Sequence, residues 1–201
     1  MTTVSFDCES ISLTGETFCV GAVTDAGQTF FAILRDSLYT PVPWVVENVM
    51  PAIRARIDLE TGRGLNASPL ASGDVISRIN RTAALQREAV YRDDYRSLCL
   101  AFFDWVRSLG AVTLVADWGY PVEARYWSDC LRFAAEREPG SEFGAPCPVH
   151  EVATALLVRG REVTAPKVPS LSVGGSEHDP VYDAAVSLAR WQHAGGTPSP
   201  A

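Results

Sequence analysis

The chain has 201 residues, a formal charge of −7, 47% hydrophobic residues and 20% charged residues. That length suits one domain able to bury a core of its own, and the composition is that of a globular protein rather than a disordered or fibrous one. The acidity argues against tight, non-specific coating of long nucleic acid, which needs many cation–phosphate contacts, but leaves room for a site that grips a few nucleotides through metal ions and local arginines.

No apolar run reaches membrane-spanning length, and the N-terminus lacks a signal peptide's basic-then-apolar layout. Cys8, Cys19, Cys99, Cys130 and Cys147 are odd in number, scattered, and form no C-x-x-C pair. Buried thiols in a reducing cytoplasm are expected, not a disulfide framework or a zinc site. All the basic residues except Lys167 are arginine. Arginine's planar fork suits phosphate, although a GC-rich coding bias gives the same excess.

Residues 4–9, Val-Ser-Phe-Asp-Cys-Glu, read as a strand ending in two carboxylates one residue apart. Alternation puts Asp7 and Glu9 on one face and turns Cys8 to the other. Two like charges so close raise each other's pKa unless a cation lies between them, and carboxylate oxygens suit Mg²⁺ or Mn²⁺. A solvated strand face is the alternative for the pair in isolation.

Residues 17–23 and 28–34 read as two further strands joined by the turn Asp25-Ala26-Gly27, which gives a three-stranded antiparallel meander. After Pro41 and Pro43, residues 44–50 fall at helical spacing. Residues 61–92, with Arg63, Arg78, Arg81 and Arg87, read as a solvated connector, with a substrate flap as the alternative. A broad apolar stripe predicts an amphipathic helix over 93–109, stopped by Gly110. The almost wholly apolar residues 111–116 predict a central strand buried on both faces and ending at Asp117. Helices are expected from Pro121 towards Pro139, over 150–158, and from Pro180 through Trp191. Residues 160–175 are a loop rich in small residues, and 195–201 a disordered tail. The order β-β-β-α-β-α-α-α describes an α/β fold, a mixed sheet flanked by helices. Residues 1–194 form a single domain in this reading.

The closing motif, residues 177–184, Glu-His-Asp-Pro-Val-Tyr-Asp-Ala, resembles the H-x-x-x-x-D motif of the DEDDh 3′–5′ exonucleases, the DnaQ-like branch of the RNase H-like fold. Phe6-Asp7-Cys8-Glu9 resembles their first motif, and the element order agrees over nearly the whole chain. Residues 44–51, Trp-Val-Val-Glu-Asn-Val-Met-Pro, resemble the W-x-x-x-N-x-x-P stretch of small bacterial exoribonucleases related to the adenylate-specific enzyme. The middle motif departs from the pattern. Glu123 stands at the helix start where an aspartate is expected, and Asp117 sits six residues earlier at the strand mouth, where open α/β sheets gather ligands. Either acid, or both, can complete the cluster. Asp117 has the edge, because a strand end is rigid and its side chain is short. Glu123 also suits a helix-start charge on the dipole, and Asp117 a turn cap.

The resemblance implies hydrolysis of 3′-terminal phosphodiesters of single-stranded RNA with two Mg²⁺ or Mn²⁺ ions, which stabilise the attacking and leaving oxygens together. It makes Asp7, Glu9, Asp183 and the middle acid, Asp117 or Glu123, the metal-holding set. His178 becomes the general base, because an imidazole's ordinary pKa near 6.5 suits proton removal at neutral pH. His150 and His193 lack such a motif. Phe18, Trp118 and Tyr120 are candidates to stack on bases, with core packing the alternative for Phe18. Single-stranded DNA is the competing substrate, and a catalytically silent RNase H-like binding module the competing class. A homodimer, common in similar exonucleases, has no coiled-coil signature here.

Overall fold

Strand β1 (Thr2–Ser10) is the spine of the molecule. Its alternation sends Val4, Phe6 and Cys8 into the largest apolar cluster and turns Asp7 and Glu9 to the opposite face. The computed structural model describes residues 1–11, 17–36, 42–61, 90–117, 122–140, 148–169 and 171–195. The connector carrying Arg63, Arg78, Arg81 and Arg87, the aromatic candidates Trp118 and Tyr120, Cys147 and the tail from 196 lie outside them.

Strand β2 (Thr17–Thr24) pairs antiparallel with β1, setting Asp7 opposite Gly21 and Cys8 opposite Val20. The turn after it closes through Gly27 at φ 82°, with the Thr24 N–H donating to the Gln28 carbonyl at 2.8 Å. Strand β3 (Thr29–Leu34) returns antiparallel and completes the expected meander. On the other side of β1 runs β5 (Val112–Ala116), parallel to it and buried at four of five positions, as its apolar run demands. Two short parallel strands extend the edges: β4 (Tyr91–Arg92) beside β3 and β6 (Val149–Glu151) beside β5. The sheet is mixed and six-stranded, in the order β4-β3-β2-β1-β5-β6.

The helix expected over 150–158 is therefore shorter than its sequence suggests. His150 and Glu151 belong to β6, facing Val115 and Ala116 across the ladder. The edge of β5 offers backbone partners that outweigh the local helical period. Helix α4 (Val152–Val158) starts only after that pairing ends.

Helices cover both faces. The helix α2 (Tyr95–Ser108) begins at a reciprocal cap: the Asp94 carboxylate accepts the Ser97 N–H at 2.6 Å, and the Asp94 N–H donates to the Ser97 hydroxyl at 3.2 Å. Its Phe102 packs on Phe6 with ring centroids 5.2 Å apart. Helix α3 (Val122–Arg137) adds the fully buried Tyr126, whose hydroxyl donates to the Leu98 carbonyl at 3.2 Å. The opposite face receives α1 (Met50–Glu60), entered through a π-turn at Val45–Val49, and α5 (Pro180–His193). Ile53 and Ile57 of α1 share a cluster with Ile33, while Ala184, Ala185 and Leu188 of α5 meet Val23. Each fully buried side chain of leucine size contributes about 1.5–3 kcal/mol. Among the described residues no helix is long and apolar enough to cross a membrane, and the four described cysteines are buried free thiols.

Gly21 lets α5 approach. A Cβ there would lie 2.4 Å from the Pro180 carbonyl carbon and 2.4 Å from the Val181 nitrogen, both backbone atoms that cannot turn aside. Gly21→Ala should cost about 1–3 kcal/mol through overpacking, read as a lower urea midpoint at unchanged slope. An unchanged midpoint would mean α5 does not sit this close to β2.

Candidate metal and active site

The register between β1 and β5 ends at Ser5 and Val115, so the last residues of β1 stand beyond its parallel neighbour. The chain leaves β1 towards β2 on one side and reaches β5 on the other. Open α/β sheets bind ligands where strand order reverses in this way. Asp7 and Glu9 lie there, Glu9 next to a shift in the β1–β2 register.

Three other elements bring groups to the same place. The first turn of α5 carries Asp183, and the turn before that helix carries His178. One ligand atom from each of Glu9, His178 and Asp183 lies within 4.8 Å of the other two, the only such metal-compatible group among the described residues. The first turn of α3 contributes Glu123, only 9% exposed, whose carboxylate accepts its own N–H and that of Cys8. The β1 backbone thus holds the acid that begins α3.

Electrostatics ties Asp7 to the same cluster. Burial pushes its carboxyl well above the usual range, and the charges of Glu9, Glu123, Asp183 and Asp117 push it further, in that order. Burial, with Asp183, Glu123 and Asp179, raises Glu9 to about 8. Burial raises Glu123 to about 7 against the two N–H bonds it accepts. Asp183 also rises to about 7 through burial, although it accepts the His178 N–H at 2.9 Å. Four carboxyls raised by burial and by neighbouring acids form a donor set of hard oxygens whose natural counter-charge is a divalent ion. The residues fit such a group.

Asp117 behaves differently. Arg190 of α5 forms an ion pair with one of its oxygens, and the same guanidinium donates to the Pro166 carbonyl at 2.9 Å. Burial raises the Asp117 carboxyl and Arg190 pulls it back down. Its other oxygen, Oδ1, is buried without a hydrogen-bond partner. Asp117 is last among the charges that act on Asp7, and Glu123 second. Of the six acids and bases the sequence singles out, Glu9, His178 and Asp183 lie together, and Asp7 and Glu123 interact electrostatically with those acids. Asp117 is ion-paired to Arg190, whose charge also reaches Asp183.

No protein-family model and no curated protein matches the chain significantly.

His178 has φ 66°, the one non-glycine residue in the left-handed region among those described. Such a conformation costs of order 1–3 kcal/mol and persists only where its surroundings enforce it. Trp44 stands edge-on to its ring, centroids 5.8 Å apart, and is 58% exposed. The Asn48 side-chain amide donates to the Trp44 carbonyl at 2.9 Å, which gives the W-x-x-x-N spacing a structural purpose. Beside Asp183 opens a cleft of ≈ 490 Å³ lined also by Ser176, Tyr182, Lys167 and Arg190. Phe18 is 5% exposed, in the apolar cluster with Ile33 and Ile53. His150 lies against Trp191 and His193 near Arg161, and neither belongs to the metal-compatible group. Two residues escape sequence reasoning altogether: Arg56 of α1 and Asp179, a buried ion pair behind the His178 turn.

Proposed function

We propose that this chain is a metal-dependent 3′–5′ exonuclease of the DEDDh kind, on an RNase H-like sheet, acting on the 3′ end of single-stranded RNA. The observation that carries the reading is the convergence of Glu9, Asp183 and His178, with the carboxyls of Asp7 and Glu123 raised by burial and by neighbouring acids. A structural ion-pair network would place arginines among such acids. Here Arg190 pairs with Asp117 and pulls Asp183 down only in part, so that carboxyl stays raised.

Asp7, Glu9, Glu123 and Asp183 would hold Mg²⁺ or Mn²⁺ through oxygen, with Asp117 outside that set. Bound divalent ions would supply charge stabilisation to phosphate oxygens as negative charge accumulates on them. Among the described residues the His178 imidazole is the base that shares the metal-compatible group with Glu9 and Asp183, and it accepts the proton of the attacking water. The Asp183 carboxylate accepts the His178 N–H and fixes the turn that presents the ring. Trp44 offers an exposed aromatic face next to that ring, suited to stacking under a terminal base. The cleft beside Asp183 has the volume of a nucleotide-sized site.

Incubation with 5′-labelled RNA and DNA oligomers, in Mg²⁺, Mn²⁺ or EDTA, tests this directly. Stepwise 3′ shortening of RNA, abolished by EDTA, is expected. Preference for DNA would move the substrate to single-stranded DNA. Uncut oligomers of both kinds, with retained binding, would make the chain a nucleic-acid-binding module.

A further inference from the structure

Behind the cluster lies a buried ion pair that the reaction itself does not use. Arg56 is 3% exposed and Asp179 is fully buried. The Arg56 Nε donates to both Asp179 oxygens, at 3.0 and 2.9 Å, and Nη2 lies 2.8 Å from Oδ2. The remaining donors go to the Val173 carbonyl at 3.1 Å, the Gly174 carbonyl at 3.0 Å and Glu60 at 3.3 Å. One guanidinium therefore grips both ends of the turn 173–179. Gly175 must be glycine within it: its φ is 93°, and a Cβ would lie 2.0 Å from Asp179 Oδ2 and 3.0 Å from Arg56 Nη2.

Asp179 passes this restraint forward. Its carboxylate also caps α5 by accepting the Val181 N–H at 3.1 Å, and its carbonyl accepts the Asp183 N–H at 2.9 Å. Its own N–H donates to the Ser176 carbonyl at 3.0 Å. His178 thus sits between a residue locked by Arg56 and a carboxylate, Asp183, that accepts its N–H. A buried ion pair is weak as a source of stability, since apolar residues of similar volume commonly do as well or better. What a planar fork provides and an apolar pair cannot is fixed orientation.

We propose that Arg56 is a positioning residue: through Asp179 and the Val173 and Gly174 carbonyls it holds the His178 turn in its left-handed conformation and so aims the imidazole at the acids. As a statement about catalysis this rests on the exonuclease reading; as a statement about His178 it does not.

The chain has three histidines, so ring carbon–proton NMR spectra of the metal-free protein labelled at histidine resolve His178 from His150 and His193. Arg56→Lys keeps the charge and loses the fork. Its His178 ring signal should shift or double while the other two stay in place, and kcat on the preferred oligomer should fall about 100-fold with KM little changed. The pair Arg56→Met with Asp179→Leu should regain thermal stability over Arg56→Met alone, yet not regain turnover. An unmoved His178 signal in Arg56→Lys, or turnover regained in the apolar pair, overturns the proposal. If the apolar pair fails to fold, Arg56→Lys decides alone. If the native protein cuts no oligomer while the His178 signal moves, the exonuclease reading falls and the positioning role of Arg56 stands.

Discussion

His178→Asn should lower turnover by about 10²–10⁴-fold, the usual worth of a positioned general base, while Mn²⁺ binding stays near that of the native protein. Asparagine is the informative replacement because it tolerates the left-handed backbone that His178 adopts, where alanine would add strain. Asp183→Asn should lose turnover and metal affinity together, since that carboxylate belongs to the cluster and also accepts the His178 N–H. Combining the two should cost little more than Asp183→Asn alone, because groups acting as a unit are not additive. Glu123→Gln should weaken Mn²⁺ binding and Asp117→Asn should not, as Asp117 already has Arg190. Mn²⁺ titration followed by electron paramagnetic resonance, beside single-turnover cleavage, reads both quantities. Native-like cleavage by His178→Asn would remove it from the chemistry, and the reverse order for the two acids would exchange their roles.

Without divalent metal, the protein should lose stability as pH rises from about 5 to about 8. The folded-state values of about 8 for Glu9 and about 7 for Glu123 and Asp183 lie above the ordinary carboxylate range. Across that window the folded chain binds more protons than the unfolded one, so its stability falls with rising pH. The loss should amount to roughly 3 kcal/mol or more, since a tenfold difference in proton affinity between the folded and unfolded chain corresponds to about 1.4 kcal/mol. The arginine-paired Asp104 and Glu136 are lowered and change charge below this window. Mg²⁺ or Mn²⁺ binds the ionised carboxylates, so it should raise the melting temperature strongly at pH 8 and little at pH 5. Melting curves in EDTA and in metal at both pH values suffice. A metal-free melting temperature that climbs from pH 5 to pH 8 would mean the acids are not held together in the folded protein.

Much of this could be read from the residues. Alternation alone puts Asp7 and Glu9 on one face, and the five-residue step from His178 to Asp183 spans a helix start. The helix α2 follows from its apolar stripe and the stop at Gly110. The edge strands β4 and β6 were not legible, because two and three residues carry no period and their pairing depends on neighbours distant in sequence. Asp117 shows the same limit. Its place at a strand mouth is legible, but its ion pair with Arg190, from a helix much later in the chain, is not. Nothing local in Gly21 announces that α5 begins against it, nor does anything in Arg56 announce Asp179. In each of these cases the deciding partner is remote.

The cluster joins β1, among the first residues, to the start of α5, among the last described ones. During synthesis β1 emerges early and carries Asp7 and Glu9 with it, but β5, Glu123 and α5 follow much later. Contacts between such distant segments form slowly, since the intervening loop must be closed before they reward it. A growing chain therefore holds Asp7 and Glu9 long before their partners Asp183 and His178 exist. The full cluster comes into being only with the closing helix, so a chain cut short before the turn that leads into α5 would hold Asp7 and Glu9 without His178 or Asp183.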